Sequence, residues 1–291
     1  GWGGGLIKLS VSGTLTLGGA ISSDGTDGDN NTVTSSTQSR YGSGAGASGG
    51  AINITAVTVT GAGKLTAAGG AGGSDVNGRQ AGGGGGGRIA VVVTGTDSST
   101  LSFDAGPGRG TNWSNVAPLS GGVGTVVWKR PGASLYDLKL LAGATVAQSA
   151  TPIYGETFDQ VTVSGLVLAS GTASGAGFFV TATDFSIPSG STLSATGMGH
   201  SGGRGGATTC GIGIGPGAVG CSNYGSPGSG YGGNGGIGES GNISVMGPGY
   251  GSITNPVDLG SGGAGGAGYK SGGGGGGLIK LSVSGTLTLG G

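Results

Sequence analysis

The most regular pattern of hydrophobic and polar residues in the chain lies between Leu6 and Leu17. Apolar side chains alternate there with serine, threonine and lysine, at Ile7, Leu9, Val11, Leu15 and Leu17. A period of two places successive side chains on opposite faces of a strand, so the stretch predicts β-structure with one buried face. Gly13 interrupts the alternation and predicts a bend between two short strands.

The same fourteen residues, Leu6 to Gly19, occur a second time without a change from Leu278 to Gly291. The two starting positions define a period of 272 (278 − 6), so the chain holds one full repeat and the start of the next. This indicates a tandem array or a polymer. We expect Gly291 to be followed by a sequence close to Ala20-Ile21-Ser22. We also expect both copies to adopt the same structure, with the same five apolar side chains buried.

Related patterns recur in the rest of the chain. A glycine tract, a strand, a bend and a second strand return from Ala51 to Ala67 and again from Arg88 to Phe103. Between Val123 and Ile187 the strands crowd together at spacings of about 22 to 25 residues, which suits one turn of a β-helix. The predicted fold class is therefore all-β, a right-handed parallel β-solenoid (β-helix).

Four regions follow from the density of strands and of glycine. Residues 1–122 are predicted to be β-solenoid coils with glycine-rich insertions, and residues 123–196 a compact β-solenoid core. Residues 197–277 form a glycine-rich flank with two structures open to it: a flexible linker, or helices of polyglycine II type that pair laterally with their neighbours. Residues 278–291 begin the next repeat.

Composition narrows the classes of function. Glycine accounts for 80 of the 291 residues, charged residues for only 8%, and the formal net charge is zero. The 12 basic residues are scattered, which argues against the basic patch that nucleic acid binding requires. No apolar run approaches the ~20 residues that span a bilayer, so membrane insertion is not expected.

The two cysteines, Cys210 and Cys221, lie in a glycine-rich segment with no second pair of metal ligands nearby. They predict a local disulfide, worth about 3 kcal/mol on a chain-entropy estimate. A disulfide indicates an oxidising compartment, which places the protein outside the cell or on its surface.

Metal and cofactor sites are not predicted. The acidic turn that holds Asp24, Asp27 and Asp29 has the oxygen-rich spacing of a calcium loop but lacks the acidic residue that closes an EF-hand loop. A solvated turn is therefore the favoured interpretation of this weak calcium candidate. His200 is the only histidine, which excludes histidine-based metal sites and catalytic triads within one repeat.

Three aspartates, Asp137, Asp159 and Asp184, are spaced so that they could stack on adjacent coils as a row of carboxylates. Enzymes that cut polysaccharides use paired carboxylates as acid and base or nucleophile. The chain has only two glutamates, and no basic residue recurs in sequence beside all three aspartates. We therefore predict aspartates that flank turns, and no enzyme.

Two further sets of residues could meet carbohydrate. The sequons that make the protein a candidate glycoprotein are at Asn30, Asn53, Asn112 and Asn242. The aromatic residues that could stack on sugars are Tyr41, Trp113, Tyr224 and Tyr231. The same aromatic residues could instead cover glycine backbone, which is the favoured interpretation.

The later part of the chain resembles a known type of glycine-rich module. The resemblance rests on four stretches: Phe185 to Gly199, Tyr231 to Gly236, Tyr250 to Gly263, and the tract from Gly272 to Gly277 that leads into the Leu278 strand. They are similar to the glycine-rich repeat modules of large, mostly uncharacterised surface or secreted β-solenoid proteins of bacteria and protists. The resemblance implies an extracellular β-rich scaffold without known catalytic residues.

These observations predict a structural repeat unit of an extracellular filament, sheath or surface appendage. Its partners would be copies of itself, added by coil-to-coil stacking. About eight coils per repeat at ~4.8 Å each would give an axial repeat on the order of 40 Å. The alternatives are a surface adhesin or carbohydrate-binding β-solenoid, with glycans as its partners, and then a polysaccharide-processing β-helix enzyme.

Overall fold

The computed structural model describes residues 1–32, 43–75, 81–110, 121–141, 145–147, 156–170, 177–222, 225–238 and 246–290. The regular elements within these ranges are all β-strands. In chain order they are β1 (Leu6–Thr16), β2 (Ala20–Ser22), β3 (Ala51–Gly61), β4 (Lys64–Thr66), β5 (Arg88–Ser99), β6 (Ser102–Asp104), β7 (Thr125–Lys129), β8 (Tyr136–Leu140), β9 (Thr145–Ala147), β10 (Thr157–Val163), β11 (Leu166–Ser170), β12 (Phe178–Ile187), β13 (Thr192–Ser194), β14 (Ile279–Val283) and β15 (Leu287–Leu289).

The first half of the main sheet consists of four parallel strands in the order β1-β3-β5-β7. In-register pairing aligns one apolar row across them: Ile7 with Ile52, Ile52 with Ile89, and Ile89 with Val126. β-Branched side chains suit such a pleated and buried surface. The small parallel sheet β2-β4-β6 packs on the same core through residues such as Leu65.

The second half repeats this layout with its own core. Strands β8, β10, β12 and β14 are parallel to one another, and β15 also pairs with β12. The small parallel sheet β13-β11-β9 accompanies them. The fully buried side chains of this core include Leu138, Val161, Val167, Phe178 and Phe185.

The two halves meet at an antiparallel pair, β7 and β8. Pro131 and Gly132 occupy the centre of the turn between them. Gly132 has a φ of 74°, and the Ala133 N–H donates to the Arg130 carbonyl at 3.1 Å. Proline followed by a residue with positive φ is the pattern of a type II turn, which reverses the chain.

The reversal also changes which face of the main sheet is buried. Directly opposed residues of antiparallel strands lie on the same face, and here Val127 opposes Leu138 while Trp128 opposes Asp137. Trp128 belongs to the first core, whereas Val127 and Leu138 belong to the second. The sheet therefore has its two cores on opposite faces, and β1 runs in the opposite direction to β14.

The prediction of a right-handed parallel β-solenoid is wrong. The main sheet has nine strands and is mixed, because β7 and β8 are antiparallel, and the two three-stranded sheets are separate from it. The strands consequently do not close into a solenoid. Alternation of apolar residues specifies which side chains share a face, but the direction of a strand depends on the turn before it.

Glycine-rich segments of the first half are joined by backbone hydrogen bonds with a period of three. The N–H groups of Gly25, Gly28 and Asn31 donate to the carbonyls of Ala68, Ala71 and Ser74 over 2.8, 2.8 and 2.9 Å. The N–H groups of Gly50, Ala47 and Gly44 donate to the carbonyls of Ser23, Thr26 and Asp29 over 2.7, 3.0 and 2.9 Å. Three residues per turn is the repeat of an extended helix without internal hydrogen bonds, whose backbone groups must find partners laterally.

The close approach of these segments requires glycine. A Cβ atom on Gly70 would lie 1.9 Å from the Thr26 carbonyl oxygen, and one on Gly108 would lie 1.7 Å from the Gly70 carbonyl oxygen. Neither distance is compatible with a side chain, because both neighbours are backbone atoms held by their own hydrogen bonds.

The glycine-rich region that follows β13 uses the same period. His200 and Gly203 donate to the carbonyls of Gly260 and Gly263, and they accept from the N–H groups of Gly275 and Gly272. Cys210 and Cys221 form a disulfide within this region, with their Cα atoms 5.6 Å apart. The predicted cysteine pairing is therefore confirmed.

Candidate functional site

The two copies of the repeated segment form the two outer positions of the main sheet. The first copy is β1, and the second supplies β14 and β15. Among the described residues β1 pairs with β3 alone, and β14 and β15 pair with β12 alone. Each copy therefore presents one edge of unpaired backbone groups, which is the part of a sheet that can accept another strand.

The side chains of the outer strands are only partly covered. Ile7 and Leu9 pack against the first core but remain half-buried, whereas their neighbours Ile52 and Ile54 on β3 are fully buried. Ile279 likewise packs against the second core and remains half-buried. The outer positions thus have an apolar face that one further strand would cover.

The two copies differ in local structure despite their identical sequence. The first copy is one continuous strand with a shift of register between Val11 and Thr14, and the second is divided at Ser284 to Thr286. The bend predicted at Gly13 is thus an irregularity within a strand in the first copy and a true interruption in the second. Leu287 and Leu289 are exposed, so the five apolar side chains are not buried alike in the two copies.

The acidic turn after β2 serves the neighbouring glycine-rich segment. Asp24 Oδ1 accepts from the Ala68 N–H, and Asp27 Oδ1 accepts from the Ala71 N–H, both at 2.6 Å. Asn30 continues this row three residues later by accepting from the Ser74 N–H at 2.8 Å. The period of three separates Asp24, Asp27 and Asn30 from Asp29, and it was not predicted from the sequence.

Asp24 has additional partners that hold its carboxylate ionised. Its Oδ2 accepts from the hydroxyls of Ser22 at 2.6 Å and Thr66 at 2.9 Å. Partial burial raises the pKa of Asp24, but these hydrogen bonds and the one from Ala68 outweigh it and leave the pKa below its ordinary value. Among the described residues, no three side chains of His, Cys, Asp or Glu are grouped to hold a metal ion.

Two of the three aspartates that were predicted to form a row share one arginine, and Asp184 lies opposite Gln160 rather than Asp159. Arg130 Nε lies 2.7 Å from Asp137 Oδ2, and its Nη2 atom lies 2.6 Å from Asp159 Oδ2. A hydrogen bond to Asp137, followed by the charges of Asp137, Asp159 and Asp184, raises the pKa of Arg130. Asp184 itself accepts from the Thr286 N–H at 2.7 Å.

Arg130 is the residue that sequence reasoning missed. It precedes the Pro131-Gly132 turn, and only the reversal between β7 and β8 brings its guanidinium to both carboxylates. A carboxylate held by a guanidinium is stabilised in its charged form and is a poor proton donor. The arrangement is that of an ion-pair cluster at the junction of the two halves.

The described carbohydrate candidates lie in three kinds of environment. Tyr231 packs edge to face on Tyr250 with ring centres 4.9 Å apart, and burial together with the charge of Asp258 raises its pKa. Asn53 is exposed on β3, and the exposed Asn30 is engaged as described above. The candidates outside the described residues are Tyr41, Trp113, Tyr224, Asn112 and Asn242.

Comparison of the chain with known protein families, with curated proteins and with solved structures found no match. The described residues contain no helical segment with the length and apolar character needed to cross a bilayer. The geometry of the chain itself therefore carries the functional argument, and its most distinctive feature is the pair of identical outer segments.

Proposed function

We propose that this chain is a structural repeat unit of an extracellular filament, sheath or surface appendage, and that its partners are further copies of the same sequence. One observation carries the proposal: the segment that repeats with a period of 272 residues supplies both outer strands of one sheet. A copy placed at either end would extend the same sheet.

The unpaired edges support this role. Proteins that remain monomeric commonly protect sheet edges with charges, prolines or short strands. β1 is eleven residues long and contains no proline, and Lys8 is its only charged residue. A long edge with a half-buried apolar face is suited to pairing with another strand.

The glycine-rich layers and the disulfide fit the same proposal. Backbone segments packed through lateral hydrogen bonds make a scaffold that depends on backbone contacts, and the Cys210–Cys221 bond suits an oxidising environment outside the cell. Arg130 pairs with Asp137 and Asp159, two of the three carboxylates that a polysaccharide-cleaving enzyme would need free, and this supports the proposal of a structural role.

Electron microscopy of purified native material tests the proposal. Each copy contributes seven strands before the repeated segment returns, and at about 4.8 Å per strand this gives fibres with an axial rise of about 34 Å per copy. Globular particles without an axial period near that length would contradict the proposal.

The mass of the denatured and reduced native material then defines the kind of assembly. A mass many times 26.9 kDa indicates a covalent tandem array, and a mass near 26.9 kDa indicates a polymer of separate chains.

A further inference from the structure

The two copies of the repeated segment use opposite edges of the same strand. In the first copy the Gly5 carbonyl accepts from the Ala51 N–H of β3 at 2.9 Å. In the second copy the Leu278 carbonyl, which corresponds to Leu6, accepts from the Phe178 N–H of β12 at 2.7 Å. Successive residues of a strand direct their backbone groups to opposite edges. Gly5 and Leu6 are successive, so β3 and β12 lie on opposite sides of the segment.

The far end of the segment shows the same division. The Leu17 N–H donates to the Thr60 carbonyl, next to β3, at 3.0 Å. The Gly290 N–H, which corresponds to that of Gly18, donates to the Ile187 carbonyl of β12 at 2.8 Å. Odd positions of the first copy therefore serve β3, and even positions of the second copy serve β12. One odd position also serves β12 in the second copy: the N–H of Gly285, the counterpart of Gly13, donates to the Thr183 carbonyl at 2.7 Å. Gly13 lies in the register shift of β1 and has no residue opposite it on β3.

Side-chain burial in the two copies is complementary. Leu6 is 72% exposed, but its counterpart Leu278 is 9% exposed because Gly177 lies directly against it. Leu17 is 9% exposed because Gly63 lies against it, but its counterpart Leu289 is 65% exposed. For each exposed leucine, the residue that would cover it is seen at its counterpart in the other copy. Gly177 covers Leu278, the counterpart of Leu6, and Gly63 covers Leu17, the counterpart of Leu289.

Gly13 is a third indication that a strand belongs on the open edge of β1. Nothing lies within 4 Å of a Cβ placed on Gly13, so the first copy offers no steric reason for a glycine there. A Cβ on its counterpart Gly285 would lie 2.7 Å from Asp184 Oδ1, the atom that accepts from the Thr286 N–H. The Thr183 carbonyl oxygen would lie 2.9 Å from the same Cβ, so Thr183 and Asp184 together disfavour a side chain at this position of the second copy. Among the described residues, the first copy has no such neighbours.

We infer that the segment is a single strand shared between successive copies. Its even backbone groups pair with Phe178–Ile187 of the preceding copy, and its odd groups pair with Ala51–Gly61 of its own copy. This inference rests on the proposed function, because it assumes that copies adjoin. The occupant of the open edge of β1 is thus the β12 strand of another copy.

The register follows from the pairs that the second copy makes. Transferred by 272 residues, they place Phe178 opposite Ile7, Val180 opposite Leu9, Ala182 opposite Val11 and Phe185 opposite Leu15. Asp184 of the preceding copy then accepts from the Thr14 N–H, in the space that Gly13 leaves. These pairs continue the buried row formed by Ile52, Ile89 and Val126.

Hydrogen exchange in a two-copy chain, residues 1–291 followed directly by a second 20–291, tests the inference. The amides of Ile279, Leu281 and Val283 face the open edge in the single copy and should exchange at least about 100-fold more slowly in the two-copy chain. The amides of Lys280 and Ser282 already face β12 and serve as the internal control, with similar rates in both chains. Unchanged exchange at Ile279, Leu281 and Val283 would overturn the inference.

A chain of residues 1–277 provides a second test that does not need the fusion. Without the second copy, the β12 edge of one molecule is open to β1 of the next, and the chain should assemble end to end. A peptide with the sequence of Leu278 to Gly291 should stop the assembly, whereas a scrambled peptide should not. A monomeric 1–277 chain, or assembly that both peptides leave unchanged, would contradict the shared strand.

These outcomes are separable from those of the proposed function. Fast exchange of Ile279, Leu281 and Val283 in the two-copy chain would contradict the shared strand, but native material could still form fibres through other surfaces. Native material without fibres would remove the proposed function and leave the strand register as a property of joined copies.

Discussion

In the strands and in the glycine-rich segments alike, backbone groups form hydrogen bonds laterally with the neighbouring segment. The two kinds of segment differ in the period of this pairing and in what fills the space between neighbours. Neighbouring strands pair in register with a period of two, and every second side chain enters a core, as Ile52 and Ile54 do. The glycine-rich segments pair with a period of three, and backbone lies directly against backbone at Gly70 and Gly108. In the first case side-chain volume fills the space between chains, and in the second the absence of side chains closes it.

This difference predicts opposite tolerance to a change of volume. A core position loses stability when atoms are removed, because a cavity remains. A closely packed glycine loses stability when one carbon atom is added, because the neighbouring backbone has to move.

The substitution Gly108→Ala should have the largest effect. Its new Cβ would lie 1.7 Å from the Gly70 carbonyl oxygen, and relieving this overlap breaks lateral hydrogen bonds, so we expect a loss of more than about 4 kcal/mol in the free energy of unfolding. The matched control is Gly18→Ala, where nothing lies within 4 Å of the added atom. Denaturant unfolding measures both, and equal stability of the two variants would break the comparison.

The substitution Ile54→Ala tests the strand layer. Ile54 is fully buried between the rows of β1 and β5, so removing its side-chain atoms should cost about 3 kcal/mol through lost burial and a residual cavity. Thr55→Ala, at an exposed position of the same strand, should stay within about 0.5 kcal/mol of the parent chain. A cost at Thr55 similar to that at Ile54 would show that the buried face has been assigned wrongly.

Removal of the disulfide tests how far the stability of the glycine-rich region that follows β13 depends on a covalent link. The pair Cys210→Ala and Cys221→Ala opens a short loop, and we expect a loss of about 2 to 3 kcal/mol. Because the effect is local, amide exchange should rise around residues 203–217 and stay unchanged in β3 and β5. Faster exchange in those strands as well would contradict a local role.

The smallest effect is expected from Asp24→Asn, and it depends on pH. The pKa of Asp24 is lowered in the folded chain, so its contribution is complete above the unfolded value near 3.8 and is lost as the pH falls through the folded pKa. The Tm difference between the parent chain and this variant should be constant at neutral pH and should shrink below pH 3.8. Asp29→Asn, outside the row of Asp24, Asp27 and Asn30, is the control for the loss of a carboxylate from this turn, and an equal loss of stability at neutral pH would contradict the assignment.

Much of the strand content could be predicted from the sequence, and the topology could not. Alternation located the strands that begin at Leu6, Ala51 and Arg88, because a half-buried strand must alternate apolar and polar residues. The chain reverses direction after Arg130, between the antiparallel strands β7 and β8, and this reversal makes the fold different from the predicted solenoid. The Pro131-Gly132 pair was an available signal for it, since this dipeptide favours a type II turn.

Only part of the candidate site could be predicted from the sequence, for a similar reason. Sequence identity between the two copies predicted that they are equivalent, but the edge that each offers depends on its neighbours in space. Gly13 illustrates the limit: its close partner, Asp184, is seen only at Gly285. The three-residue row of Asp24, Asp27 and Asn30 was hidden because its partners lie 44 residues further on, in another glycine-rich segment.

The reversal between β7 and β8 gives joined copies a particular architecture. Because the cores lie on opposite faces, the second core of one copy would merge through the shared strand with the first core of the next. The natural building block of such an array would then run from Tyr136 to Lys129 of the following copy, with one continuous core and a turn at Arg130 as its joint. Successive blocks would be related by a half-turn screw operation, and the pattern would recur every two copies, about 68 Å apart before sheet twist is added.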